Sequence, residues 1–175
     1  MSGGTPRSTL ILGGARSGKS RHAEMLGRAH GGALVYIATG EAGDSEMAER
    51  IKRHRLGRGP EWTTIEEPVE LVAAVSREAG PRRFVLIDCI TLWISNLMGL
   101  RRAVPAEVDA LARAIEAAPG AVCLVSNEVG LGIVPDNAMA RAFRDEAGLA
   151  HQRLAAVCEE VVLMVAGLPV FLKRP

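Results

Sequence analysis

Apolar runs of strand length recur along this chain, separated by stretches with helical spacing. That alternation restricts the possible folds more than any other feature. Thr9–Leu12, Ala33–Ala38, Thr63–Ile65, Phe84–Ile87, Ala121–Val125, Val161–Val165 and a short Val170–Leu172 read as strands. Several are apolar without interruption, as expected for strands buried on both faces of a parallel sheet. Helical spacing is found at Lys19–Ala29, Ser45–Arg55, Val69–Glu78, Ala106–Ala117 and Ala138–Val157. Asp44 or Ser45 suits the N-cap of the second helix, and Pro68 the first turn of the third. Such alternation builds an α/β fold with right-handed crossovers, whose ligands collect at the carboxyl ends of the strands. With no internal repeat or long linker, residues 1–175 are expected to form a single domain. An aromatic content of 3% leaves its core mostly to Ala, Val, Leu and Ile.

The first strand runs straight into Gly13-Gly14-Ala15-Arg16-Ser17-Gly18-Lys19-Ser20, which is G-x-x-x-x-G-K-[ST] followed by the helix-forming Arg21–Leu26. Glycines let backbone N–H groups turn inward around phosphate oxygens, and the helix presents its positive end to them. Lys19 reaches the β- and γ-phosphates as a point charge, and the Ser20 hydroxyl is a ligand for Mg²⁺. This strand–loop–helix setting predicts a nucleoside triphosphate site. Phe84-Val85-Leu86-Ile87-Asp88 then has the form of a Walker B strand. Asp88 is read either as a second Mg²⁺ ligand opposite Ser20 or as a cap for the segment beginning at Cys89.

A charged stretch, Gly43 to Arg55, places Met47, Ile51 and His54 on one helical face, with Lys52, Arg53, Arg55 and Arg58 around the imidazole. Such a field favours neutral imidazole and attracts polyphosphate. His54 is then either an ordinary last-turn histidine or a nucleophile toward the α-phosphate of a nucleotide. Glu66 and Glu67 end a strand, where acids accept hydrogen bonds from a ribose, a purine edge or basic side chains. The run from Val125 to Pro135 leaves a strand through glycines, a position where loops often carry function. Arg141, Arg144 and Asp145 beyond it read equally well as a solvated helix face.

A net charge of +1 offers no global attraction for nucleic acid or membrane surfaces. No apolar segment is long enough to span a bilayer. Cys89, Cys123 and Cys158 lack C-x-x-C spacing and sit in apolar stretches, so buried free thiols and a cytoplasmic location are expected.

Together these segments resemble the bifunctional adenosylcobinamide kinase / adenosylcobinamide-phosphate guanylyltransferase family of cobalamin biosynthesis. The resemblance is carried by the P-loop with Arg21, Tyr36-Ile37-Ala38-Thr39, Asp44 through His54, and Trp62 through Pro68. It continues through Leu86-Ile87-Asp88-Cys89-Ile90-Thr91, Ser126 through Pro135, Ala140 through Asp145, and Gln152-Arg153-Leu154-Ala155. It implies a P-loop NTPase-type three-layer fold with a mostly parallel sheet flanked by helices. It also implies two reactions: ATP or GTP phosphorylates adenosylcobinamide, and GMP passes from GTP through a histidine to adenosylcobinamide phosphate. On that pattern the guanylylated residue is His54, with Lys19 as the other catalytic residue. Nucleotide contacts fall on Gly13 to Ser20, on Ala38, Thr39 and Gly40, and on Arg55, Glu66 and Asp88. Mg²⁺ falls to Ser20 and Asp88, and the family's oligomers are trimers. His151 stands where the pattern has Asn. A plain P-loop small-molecule kinase without a covalent intermediate is the alternative enzyme, and a nucleotide-controlled binding module the non-enzymatic one.

Overall fold

A computed structural model of the chain describes residues 6–40 and 59–175. The element order is β1 (Ser8–Gly13), α1 (Lys19–His30), β2 (Ala33–Ala38), β3 (Trp62–Glu66), α2 (Leu71–Glu78), β4 (Arg83–Asp88), α3 (Ile90–Gly99), α4 (Val104–Ala117), β5 (Ala121–Asn127), α5 (Ala138–Val157), β6 (Glu160–Val165) and β7 (Leu168–Lys173). The expected helix over Ser45–Arg55, with His54 and Arg55, lies outside the described residues.

The strands form a seven-stranded sheet in the order β3-β2-β4-β5-β1-β6-β7. All neighbours are parallel except β6 and β7, which form an antiparallel hairpin at one edge. Alternate residues of each strand feed two cores, because successive side chains point to opposite faces. Leu10, Val35, Ile37, Val85, Ile87, Val122 and Leu124 face α2 to α5. Ile11, Leu34, Tyr36, Phe84, Leu86, Cys123 and Val125 face α1. Beneath α1 the few aromatics gather: Trp62 stands edge-on to Tyr36 at 6.2 Å and to Phe84 at 6.4 Å between ring centroids.

Two elements depart from the sequence reading. Ile90–Gly99 is a helix that spacing does not announce, because Ile90, Thr91, Trp93, Ile94 and Leu97 are all buried and no clean polar face remains. The helix expected over Ala106–Ala117 begins earlier, at Val104, with Pro105 in its first turn. The three cysteines are buried free thiols, as expected. Among the described residues no helix is long and apolar enough to cross a membrane.

Candidate nucleotide site

At the carboxyl edge of the sheet, β1 ends at Gly13 and α1 begins at Lys19, leaving a loop of which Gly14, Ala15 and Arg16 are exposed. Gly18 caps the helix at φ 99°, a conformation that suits glycine and leaves the first-turn amides uncovered by any side chain. The loop is braced on two sides. Glu128 N–H, just beyond β5, donates to Gly13 O at 3.0 Å, and Gly167 N–H in the β6–β7 turn donates to Ser17 O at 3.0 Å. Lys19 is buried, and its ammonium donates to Gly14 O at 2.6 Å.

Ser20 and Asp88 meet across this edge, with Ser20 Oγ donating to Asp88 Oδ2 at 2.8 Å. Tyr36 Oη donates to the same oxygen at 2.9 Å. The helix that follows Asp88 is capped at Cys89 without a side-chain hydrogen bond, so the Asp88 carboxylate is turned toward the P-loop rather than onto α3. A hydroxyl and a carboxylate are hard oxygen donors, and Mg²⁺ takes few protein ligands beside water and phosphates. The pair therefore fits that ion. Among the described residues no group of three or more His, Cys, Asp or Glu gathers as an all-protein metal cage.

The strand ends beside Asp88 are tied by a buried polar network. Thr39 is fully buried; its hydroxyl donates to Cys89 O at 2.7 Å and accepts from Cys89 N–H at 2.8 Å. Its backbone N–H donates to Asp88 O at 3.2 Å, and its carbonyl accepts from Asn96 Nδ2 at 2.8 Å. The same amide nitrogen donates to Pro68 O at 3.0 Å, joining the ends of β2 and β3. With every polar group engaged internally, Thr39 shapes the site by holding the Asp88–Cys89 corner. Ala38 lies in register between Asp88 and Glu66. Glu66 is exposed at its strand end, while the Glu67 carboxylate accepts from Val69 N–H at 3.1 Å and Glu70 N–H at 2.8 Å and so caps the entry to α2. Burial and the neighbouring Asp88 charge push the Cys89 thiol up, which leaves it inert beside the site.

On the far side of the P-loop a cavity of about 770 Å³ opens between Gly14–Ser17, the turn at Glu128–Gly132 and the end of β6. Glu128 closes that turn itself, accepting from Gly130 N–H at 2.7 Å and Leu131 N–H at 3.1 Å. Behind it, Ser126 Oγ and His151 Nε2 lie 2.7 Å apart in the interior. Further along, Arg144 pairs with Asp145 at 3.0 Å, and Arg141 donates to Pro135 O at 2.9 Å and Asp136 O at 2.8 Å. Arg141 thus braces the loop, and the Arg144–Asp145 pair occupies the helix surface.

Sequence reasoning missed Tyr36, Asn96 and Gly167 as parts of this site. Tyr36 did carry a signal, a polar tip in an otherwise apolar strand. Asn96 and Gly167 reach the site only through the tertiary fold.

The geometry has solved counterparts at low identity, which bear on the fold alone. The flagellar accessory protein FlaH from Methanocaldococcus jannaschii superposes with a TM-score of 0.55 at 13% identity, covering 99% of this chain and 81% of that one. A RadB recombinase gives 0.52 at 15% identity, covering 90% and 74%. Sequence relatives are much nearer. The bifunctional adenosylcobalamin biosynthesis protein CobP of Pseudomonas aeruginosa is 49% identical over 166 residues, covering 94% of this chain and 96% of that protein. The corresponding CobU proteins of Escherichia coli and Salmonella typhimurium are 41% and 42% identical, each covering 94% of this chain and 98% of theirs. The profile of one family, described as cobinamide kinase / cobinamide phosphate guanyltransferase, matches residues 9–172. Matched over nearly its whole length, the chain belongs to the cobinamide kinase / cobinamide phosphate guanyltransferase family.

Proposed function

We infer that this protein carries out two consecutive steps of cobalamin biosynthesis on one P-loop, as a kinase and then as a guanylyltransferase. Membership of the family supports the pair of activities. The observation that carries the site assignment is the contact of Ser20 with Asp88 at the foot of the P-loop. Backbone N–H groups of Gly14 to Ser20 and the Lys19 ammonium bind and orient the triphosphate of ATP or GTP. Ser20 and Asp88 hold Mg²⁺, which when bound neutralises phosphate charge. Tyr36 keeps the Asp88 carboxylate aimed at Ser20.

In the first step the aminopropanol hydroxyl of adenosylcobinamide takes the γ-phosphoryl group. In the second, neutral His54 attacks the α-phosphorus of GTP and pyrophosphate leaves. GMP then passes from the histidine to adenosylcobinamide phosphate, giving adenosylcobinamide-GDP. Arg55 and Glu66 are assigned to the nucleotide in this second step, and Ala38 and Gly40 border it with their backbones. The whole chain acts as one catalytic domain in the cytoplasm, which its buried free thiols support. We assign it a trimer. The exposed Leu168, Val170, Phe171 and Leu172 of the edge strand support self-association.

Incubation with α-labelled GTP tests the covalent route. Wild-type protein should acquire an acid-labile, base-stable label that His54→Ala lacks. Wild-type protein that turns over corrinoid yet never takes up label would falsify the route and leave the plain P-loop kinase.

A further inference from the structure

The kinase half of this reading leaves one polar group at the centre of the site without a task. Strand β5 lies between the P-loop strand and the Asp88 strand. In register, Asp88 stands opposite Val125, whereas Gly13 stands opposite Asn127. The end of β5 therefore projects two residues past Asp88 on one side and is level with the start of the P-loop on the other. A phosphoryl group held by Lys19 in front of Ser20 and Asp88 would lie over that projecting end. Asn127 is its last residue and is half-buried.

The hydrogen bonds of Asn127 are slack compared with those around it. Its Nδ2 is 3.3 Å from Thr91 Oγ1 and 4.0 Å from Cys89 Sγ, and its backbone N–H is 3.4 Å from the same Thr91 oxygen. Nearby buried groups are held much closer: Thr39 to Cys89 at 2.7 and 2.8 Å, Asn96 to Thr39 at 2.8 Å, and Trp93 Nε1 to Val69 O at 2.8 Å. A thiol is a poor acceptor, and an anionic phosphoryl oxygen is a far stronger one for the same N–H. Thr91 is buried, and its hydroxyl also lies 3.2 Å from Cys89 Sγ, so it anchors one side of the amide while the other N–H stays exchangeable.

We propose that Asn127 is a catalytic residue of the phosphoryl-transfer step, donating its side-chain amide to the γ-phosphoryl group, with Thr91 as the positioning residue that orients it. In that step the substrate hydroxyl oxygen forms a bond to the γ-phosphorus, and the bond from that phosphorus to the β–γ bridging oxygen breaks. Its electron pair leaves with the nucleoside diphosphate, and the hydroxyl proton passes to solvent. Asn127 makes no covalent bond; its donor meets charge that builds on the transferring oxygens. Attack by His54 at the α-phosphorus leaves the γ-phosphate inside the departing pyrophosphate, so that reaction gains little from Asn127.

The test compares both activities in one set of purified full-length variants. Asn127→Ala should lower kcat for adenosylcobinamide phosphorylation about 100-fold. KM for the nucleotide and the rate of labelling from α-labelled GTP should stay within about threefold of wild type, a split that a merely structural role does not produce. Thr91→Val should lower the same kcat about tenfold, and Thr91→Ser should restore it. If Asn127→Ala fails to fold, Asn127→Asp, which keeps the shape but lacks the amide donor, is judged by the same criteria. An unchanged kcat, or equal losses in phosphorylation and labelling, overturns the inference alone. Wild-type protein that labels but never phosphorylates overturns it together with the kinase reading on which it rests.

Discussion

Replacing Thr39 with Val keeps the side-chain volume and removes one buried hydroxyl, which makes it a sharp probe of the network under the site. That hydroxyl donates to Cys89 O and accepts from Cys89 N–H. After the substitution Cys89 O still receives Trp93 N–H at 3.2 Å, so the loss there is one ordinary hydrogen bond, about 0.5–1.5 kcal/mol. Cys89 N–H keeps no protein partner in a residue only 4% exposed, and an orphaned buried donor costs about 1–3 kcal/mol. The sum is roughly 3 kcal/mol, which for a chain of this size corresponds to a fall of about 9 °C in Tm. Thr39→Ser keeps the hydroxyl and loses one buried methyl, about 1 kcal/mol. Urea unfolding followed by circular dichroism, with thermal melts beside it, should therefore rank wild type above Ser and Ser above Val. Hydrophobicity alone predicts the reverse order of the two variants. A Val variant as stable as wild type, or more stable than Ser, refutes the reasoning.

Two further outcomes follow from the same geometry. A Cβ on Gly13, where φ is +154°, falls 2.7 Å from the backbone oxygen of Met164, whereas one on Gly14 meets nothing within 4 Å. Gly13→Ala should cost about 1–3 kcal/mol in urea unfolding and weaken binding of a fluorescent GTP analogue, with Gly14→Ala close to wild type in stability. Burial lowers the pKa of His151, with the Glu128 charge opposing it more weakly, and burial likewise lowers that of His22. Below the ordinary imidazole pKa of about 6.5 the unfolded chain takes up protons that the native protein refuses. Stability should therefore fall as pH drops from that value toward the lowered native pKa, and be independent of these groups above it. Urea midpoints measured across this range should show the slope reduced, but not abolished, in His151→Asn, because His22 remains; an unchanged slope contradicts the assignment.

Much of the architecture is legible without coordinates because its signals are local. A strand buried on both faces must be apolar throughout, which is why Ala33–Ala38 and Phe84–Ile87 stand out. The P-loop announces itself because phosphate binding needs small residues and a lysine at fixed spacing. Where burial removes the polar face, as in Ile90–Gly99, periodicity has nothing to register. The inward roles of the Thr39 and Asn96 side chains were illegible for another reason: the side-chain partner of Thr39 lies 50 residues away, and those of Asn96 lie 28 and 57 away.

What the sequence determined by itself is the strands, every described helix except Ile90–Gly99, the phosphate-binding loop and the acid at the end of Phe84–Asp88, each dictated by neighbours within a few residues. The tertiary structure alone decided which strands adjoin. That order sets Asn127 between Gly13 and Asp88, places the β6–β7 turn against Ser17, and turns Thr39 inward to Cys89. The physical reason is that strand order is chosen by long-range packing of two apolar faces, so contacts at the sheet edge depend on the whole chain closing around its cores.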